Sequence, residues 1–135
     1  MMSENFKQNE FIIDSSAWIE YFNGTQKGAK AKTIIENSEK EIFTVDICLA
    51  EIKFWSLNQK KEFKKLHEII LSNSQIIETN STDWLKAAEI KFEKRKTTKD
   101  FGLVDAAILA KSAEFKTQIL TTDKHFEREK NVKLL

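Results

Sequence analysis

The sequence predicts an α/β protein, a three-layer α/β/α sandwich with a mostly parallel sheet of four or five strands. Short apolar runs alternate with longer segments whose apolar residues recur at helical spacing. One or two such helices separate successive runs, which requires crossover connections and hence parallel strands covered on both faces. With 135 residues, 41% of them hydrophobic, the chain is long enough to form a single domain over residues 1–135 with a buried core.

Composition limits the classes of protein to be considered. The formal net charge is +1, so there is no overall attraction to nucleic acid, and any polyanion must bind a local patch. The single cysteine, Cys48, excludes an internal disulfide and favours a reducing compartment. No apolar run approaches the ~20 residues of a membrane helix, and the polar N-terminus lacks the apolar core of a signal peptide. We therefore expect a cytoplasmic protein with no membrane association.

The first predicted unit is a strand followed at once by a helix. Residues 11–13 form a short apolar strand that ends at Asp14. Apolar residues at helical spacing begin with Ala17, and Ser15 or Ser16 can cap that helix through its hydroxyl. The ligands of open α/β sheets bind at the carboxyl ends of the strands, which is where this pattern places Asp14. Asp14 can also be explained as a turn or cap residue.

The same alternation continues to the end of the chain. A modest helix is predicted over residues 26–37, a second strand over 41–45 and helices over 47–57 and 60–71, with Asp46 as a cap. A third strand over 75–79 precedes a helix capped by Ser81, Thr82 or Asp83. Gly102 precedes a helix over 103–115, a fourth strand covers 118–122, and residues 131–135 are a possible fifth strand.

Two acidic residues lie within apolar helical segments, where an ionised side chain is costly. Glu51 is followed at helical spacing by Phe54 and Trp55, and Asp105 by Ile108. A first-turn carboxylate such as that of Asp105 gains roughly 0.3–1 kcal/mol from the helix dipole, far less than unpaired burial costs. Each therefore needs a cation or a solvent-filled cleft, although Asp105 could pair with a lysine and Glu51 could lie at the rim of the core.

A second pair of acids lies at strand ends. Asp123 ends the fourth strand as Asp14 ends the first, and Thr122 can supply a hydroxyl beside it. One βα pattern thus directs four acids, including Glu51 and Asp105, to a single edge of the sheet. Clustered carboxylates repel one another unless a divalent cation neutralises them. Oxygen ligands with no nearby set of His or Cys favour Mg²⁺ or Mn²⁺ over zinc.

Four segments together resemble the PIN domain, and most closely the VapC-type ribonuclease toxins of prokaryotic toxin–antitoxin pairs. The segments are FIIDSSAWIEYF, LAEIKFW, GLVDAAILA and ILTTDKHF, and the resemblance covers roughly residues 11 to 128. They match the family's strand-ending aspartate, its helix-borne glutamate, its second aspartate on a helix, and its threonine–x–aspartate strand end. The chain departs from the family in two ways. It has few arginines, which leaves lysine to bind RNA phosphates. Late in the third segment, the family more often has another small residue.

The resemblance implies a mechanism and a set of partners. Asp14, Glu51, Asp105 and Asp123 would hold one or two Mg²⁺ or Mn²⁺ ions, with Asp14 and Asp105 as the central ligands. Ser15 or Thr122 would hydrogen-bond a carboxylate or a metal-bound water. The enzyme would hydrolyse RNA phosphodiesters and leave a 5′-phosphate and a 3′-hydroxyl. A cognate antitoxin would insert a segment into a groove between the early helices, and a homodimer is expected.

The remaining polar candidates have simpler explanations. Asp46, Asp83 and Asp100 each precede a helix and are interpreted as caps. His125 could reach a substrate, but the sequence indicates no carboxylate partner for it, and His67 is expected at the surface. The basic residues between 91 and 99 suit either RNA phosphates or a solvated helix end.

Three other functions were compared with the toxin nuclease. A response-regulator receiver domain needs paired acids after the first strand and an aspartate after the third, and this sequence has neither. A PIN nuclease of RNA maturation or repair, without an antitoxin, stays open. So does a catalytically silent PIN domain that only binds RNA or protein, although the complete set of acids disfavours it.

Overall fold

A computed structural model describes residues 6–135 and contains one five-stranded sheet in which every neighbouring pair is parallel. In chain order the strands are β1 Lys7–Ile13, β2 Glu41–Val45, β3 Gln75–Ile77, β4 Thr117–Thr121 and β5 Val132–Leu134. Their order across the sheet is β3-β2-β1-β4-β5. The predicted fold class is confirmed, including the fifth strand.

Six α-helices connect the strands: α1 Ser15–Asn23, α2 Gln26–Ile35, α3 Asp46–Asn58, α4 Phe63–Asn73, α5 Ser81–Lys94 and α6 Leu103–Phe115. Alternate side chains of the central strand enter separate cores, Ile12 on one face and Ile13 on the other. The core on the side of Ile12 includes residues of α5 and α6, and the opposite core includes residues of α1, α2 and α4. These two cores make the three layers.

The strand order brings two particular strand ends together. The chain moves from β1 to β2 to β3 in one direction, then returns to the other side of β1 for β4 and β5. Such a reversal opens a crevice at the carboxyl ends of the central strands. In this crevice Ile13 pairs in register with Leu120, and the Asp14 N–H donates to the Leu120 carbonyl at 2.9 Å.

Two glycines shape the connection between α1 and α2. Gly24 ends α1 with φ of 66°, a left-handed conformation that glycine adopts without strain. A Cβ on Gly28 would lie 2.0 Å from the carbonyl oxygen of Glu20, so only glycine permits this approach of the two helices.

The structure corrects several predicted caps. Asp14 is the N-cap residue of α1, while Ser15 and Ser16 lie inside the helix and make contacts elsewhere. Asp46 is the first residue of α3, and its carboxylate accepts hydrogen bonds from the N–H and hydroxyl of Thr79, which ties α3 to the segment after β3.

Of two further predicted caps, Asp83 does cap its helix and Asp100 does not. Asp83 forms a reciprocal capping box with Asn80 at the start of α5, and it pairs with Lys111 of α6 at 3.0 Å. Asp100 adopts a left-handed conformation in the turn before α6, with φ of 66°, and Gly102 occupies the N-cap position. Among the described residues, no helix is long and apolar enough to cross a membrane.

Candidate active site

The ends of the two central strands place Asp14 and a supporting hydroxyl cluster. Asp14 is only 5% exposed, and its Oδ2 accepts hydrogen bonds from the hydroxyls of Thr121 and Ser16, both at 2.8 Å. The Ser16 hydroxyl also accepts the Thr122 N–H at 3.0 Å, and the Thr121 hydroxyl accepts the Asp123 N–H at 2.9 Å. Asp14 and the Asp123 backbone are therefore held by one network across the β1–β4 crevice.

Helices α3 and α6 place the other two acids. Glu51 lies on the second turn of α3, where its Oε1 accepts a hydrogen bond from the Ser15 hydroxyl at 2.8 Å. Asp105 is in the first turn of α6, where its Oδ2 accepts the Gly102 N–H at 3.0 Å. Each carboxylate is thus fixed by a donor from its own or a neighbouring element.

The four acids form two adjoining clusters of possible ligand atoms. In the first, atoms of Asp14, Glu51 and Cys48 all lie within 4.8 Å of one another. In the second, atoms of Asp105, Asp123 and His125 meet the same limit. The negative charges of Asp105 and Asp123 act on both Asp14 and Glu51, so the two clusters share one electrostatic environment.

Burial and mutual repulsion raise the pKa of three of these carboxyls. Desolvation is the main cause for Asp14, and it outweighs the stabilising hydrogen bonds from Thr121 and Ser16. Desolvation also raises the pKa of Glu51 and of Asp105, with further repulsion from the neighbouring acids. Among residues 6–135, His125 is the only basic side chain that pairs with any of the four carboxylates, through its contacts with Asp105 and Asp123, and no lysine or arginine does so.

His125 contacts two of the acids, although the sequence indicated no carboxylate partner for it. Its Nδ1 lies 3.2 Å from Asp105 Oδ2 and 3.4 Å from Asp123 Oδ1. Its backbone N–H also donates to Asp123 Oδ1 at 2.9 Å within the short 3₁₀ turn Lys124–Phe126. This turn brings a side chain two residues beyond the acid back to the same carboxylate.

Comparison with known proteins identifies the family. The family model of the PIN domain matches residues 11–131. The chain belongs to the PIN-domain family. The resemblance to PIN domains expected from the four sequence segments is therefore confirmed. No protein of curated function is recognisably similar in sequence.

Solved structures of toxin–antitoxin proteins share the fold of this PIN domain. The VapC20 toxin of Mycobacterium tuberculosis, described as cleaving the sarcin–ricin loop, has a TM-score of 0.72 at 17% identity, covering 90% of this chain and 96% of that one. VapBC2 of Rickettsia felis, bound to a DNA fragment of its promoter, gives 0.69 at 19% identity over 93% and 97%. A toxin–antitoxin complex of Klebsiella pneumoniae gives 0.66 at 23% identity over 90% and 94%.

The donor set of this PIN domain fits a divalent cation. Several carboxylates lie in a partly buried crevice, and the raised pKa values of Asp14, Glu51 and Asp105 reflect charge that their hydrogen bonds do not fully offset. Hard divalent cations bind such oxygen ligands. Cys48 is a poor additional ligand, because burial raises the pKa of its thiol well above the ordinary value and keeps it protonated.

The hydroxyl that supports Asp14 is not the predicted one. Thr122 supplies its backbone N–H to Ser16, while the hydroxyl of the preceding residue, Thr121, reaches Asp14. Ser15 does contact a carboxylate, that of Glu51. The fold also brings one cysteine, Cys48, and one histidine, His125, to different groups of these acids, which the sequence pattern did not indicate.

Proposed function

We propose that this PIN domain is a Mg²⁺- or Mn²⁺-dependent endoribonuclease and the toxin of a toxin–antitoxin pair, acting in the cytoplasm. The principal support is the convergence of Asp14, Glu51, Asp105 and Asp123 at the carboxyl edge of the sheet, with no lysine or arginine paired to them among the described residues. A bound divalent cation would offset the repulsion within such a cluster, which is difficult to explain by stability alone.

The proposal gives each acid a role. Asp14 and Asp105 are the central ligands of the ion, and Glu51 and Asp123 support them directly or through water. A bound divalent ion activates the attacking water and offsets charge that develops on the phosphate. The hydroxyls of Thr121 and Ser16 fix the Asp14 carboxylate, as Ser15 fixes that of Glu51. Hydrolysis of an RNA phosphodiester would leave a 5′-phosphate and a 3′-hydroxyl.

A cationic pocket beside the acids supports RNA as the substrate. It has a volume of about 260 Å³ and includes His125 in its lining together with Lys99, Lys124 and Arg128. One acid, Glu127, also lines it. A strand whose scissile phosphate lies at the carboxylates could place a neighbouring phosphate here, where cations supply affinity that depends on salt.

Exposed apolar residues support protein partners. Phe54 is 67% exposed and Leu57 is 64% exposed, both on α3 beyond Glu51. Large exposed apolar residues are common at protein interfaces. Trp18 of α1, by contrast, is fully buried. An antitoxin segment or a second copy of the chain would cover this surface, and we propose both an antitoxin complex and a homodimer.

RNA cleavage in Mn²⁺ tests the catalytic proposal. The wild-type chain should cleave single-stranded RNA, and both Asp14→Asn and Asp105→Asn should abolish cleavage. Asp100→Asn is the matched control, because Asp100 is exposed and asparagine tolerates its left-handed conformation. Cleavage that survives either site substitution would refute the assigned mechanism.

A second experiment separates a toxin from a maturation nuclease. Expression of the wild-type chain should arrest bacterial growth, and co-expression of a DNA-binding protein encoded by the adjacent reading frame should restore it. RNA cleavage without growth arrest, and without a complex with that neighbour, would favour the maturation enzyme. RNA binding without cleavage in any divalent ion would favour a silent binding module.

A further inference from the structure

The one imidazole at the carboxylate edge is positioned as closely as the acids themselves. His125 Nδ1 lies 3.2 Å from an Asp105 oxygen and 3.4 Å from an Asp123 oxygen. An ion held by bonds of about 2.1–2.2 Å in octahedral geometry separates adjacent ligand atoms by roughly 3 Å. The spacing of these three atoms is therefore that of neighbouring ligands around one ion.

The backbone and a neighbouring ring fix this arrangement. The His125 N–H binds Asp123 Oδ1 at 2.9 Å, which sets the turn, and the His125 ring lies beside Phe101 with 6.5 Å between ring centroids. Phe101 is fully buried, so this contact limits movement of the imidazole. The same Nδ1 faces both carboxylates, and only a proton or a metal ion can join it to them.

We propose that His125 is a nitrogen ligand of the divalent ion, alongside Asp105 and Asp123. This inference rests on the proposed function, since it requires that the carboxylates hold a metal. It changes the expected selectivity, because imidazole favours transition-metal ions whereas Mg²⁺ prefers oxygen ligands and water. The site is then expected to prefer Co²⁺ to Mg²⁺ by more than an all-carboxylate site would.

Metal titration of two variants tests the assignment. His125→Ala should weaken Co²⁺ binding by ~10-fold or more, at least the loss typical of an outer-shell change. Mg²⁺ binding should weaken by less than ~3-fold, because Mg²⁺ gains little from imidazole. His125→Asn places an amide near the former Nδ1 and should likewise lose the Co²⁺ preference. His67→Ala is the control, since the chain has only two histidines.

A spectroscopic measurement tests ligation directly. Pulsed electron paramagnetic resonance of the Mn²⁺-loaded protein should show coupling to a directly bound nitrogen, lost in His125→Ala and retained in His67→Ala. Absence of that coupling in the wild type would overturn the inference. So would Co²⁺ affinity that is unchanged or increased in both His125 variants, which would make His125 a counter-cation that metal displaces.

Two further outcomes separate this inference from the proposed function. Equal weakening of Co²⁺ and Mg²⁺ binding would give His125 a positioning role only and would overturn its assignment as a ligand. The proposed metal site itself fails if the wild-type chain binds neither ion. It also fails if Asp105→Asn binds both ions with the same affinities as the wild type. If metal binding is lost in Asp105→Asn but unaffected in both His125 variants, the nuclease proposal stands and only the assignment of His125 as a ligand is refuted.

Discussion

Replacing Asp14 by asparagine should stabilise the metal-free protein and at the same time abolish its stabilisation by Mn²⁺. Ligand atoms of Asp14 and Glu51 lie within 4.8 Å. Two unit charges at that separation repel by about 3 kcal/mol at an effective dielectric constant near 20. Glu51 is partly exposed, and solvent screening reduces this to roughly 1–2 kcal/mol.

Two further contributions act in opposite directions. Asp14 is only 5% exposed, and burial of an ionised side chain costs several kcal/mol. The neutral amide of asparagine avoids part of this desolvation cost, which stabilises the variant by roughly 1–2 kcal/mol. Hydrogen bonds from Thr121 and Ser16 then lose the strength that a charged acceptor gives, at about 0.5–1 kcal/mol each. We expect a net stabilisation of about 0–3 kcal/mol, with a central value of about 1.5 kcal/mol, which raises Tm by up to roughly 12 °C for a domain of this size.

Thermal unfolding with and without Mn²⁺ measures both effects. At an ion concentration about 100 times its Kd, the wild type should gain about 2.7 kcal/mol and Asp14→Asn nothing. The order of the two melting temperatures should therefore reverse or the gap close on adding Mn²⁺, whereas Asp100→Asn should follow the wild type in both conditions. A metal-free Asp14→Asn protein less stable than the wild type would refute the reasoning, since Asp14 would then be a structural acid.

The pH dependence of the metal-free wild type follows from the same charges. The folded-state pKa values of Asp14, Glu51 and Asp105 are raised, so the folded state binds more protons than the unfolded state between the ordinary and the raised values. Their contribution to stability is therefore greatest below the ordinary pKa values, and it is lost as pH rises through the raised ones. Urea unfolding across mildly acidic pH should show this loss, and Asp14→Asn should reduce it. A loss unchanged by that substitution would contradict the assignment.

Three other substitutions probe the supporting structure. Lys111→Met should lower the free energy of unfolding, measured by urea titration, by about 2–4 kcal/mol, because it leaves the partly buried Asp83 without its partner. The double variant that also carries Asp83→Asn should recover much of this loss. Thr121→Val should weaken Mn²⁺ binding by ~10–100-fold in calorimetric titration, because Asp14 loses a hydroxyl donor; unchanged affinity would show that the donor is dispensable. Lys124→Ala, made in the Asp14→Asn background to prevent cleavage, should weaken RNA binding. The slope of the logarithm of the binding constant against the logarithm of the salt concentration should become shallower by about 0.7. An unchanged slope would show that RNA does not bind this pocket.

The fold was predictable because it depends on patterns that survive local errors. Alternating apolar runs and helices required crossover connections, and the parallel sheet followed from them. The same logic placed Asp14 and Asp123 at one edge, since the carboxyl ends of parallel strands face the same way. The predicted cap at Asp46 failed because its carboxylate accepts hydrogen bonds from Thr79, 33 residues further along the chain. The predicted cap at Asp100 failed because Gly102 occupies the N-cap position and Asp100 lies in the preceding left-handed turn.

The supporting hydroxyl was harder to predict because strand side chains alternate between faces. The sequence offers Thr121 and Thr122 side by side, and an uncertainty of one residue in the strand end reverses which of them faces Asp14. The structure ends β4 at Thr121, whose hydroxyl is buried against the carboxylate. His125 was missed for a related reason, because its contacts depend on a 3₁₀ turn that leaves little periodic signal.

The distribution of charge separates the structural acids of this chain from those at the proposed site. Asp83, which pairs with Lys111 and caps α5, has a lowered pKa, chiefly because its carboxylate accepts the Asn80 N–H. Asp14 has two good hydroxyl donors and still has a raised pKa, because desolvation outweighs them and no basic side chain among residues 6–135 pairs with it. An acid that serves only stability would be expected to resemble Asp83. If the proposed metal site is correct, the raised pKa of Asp14 is a cost to the metal-free fold that a cation bound to the folded state would lower.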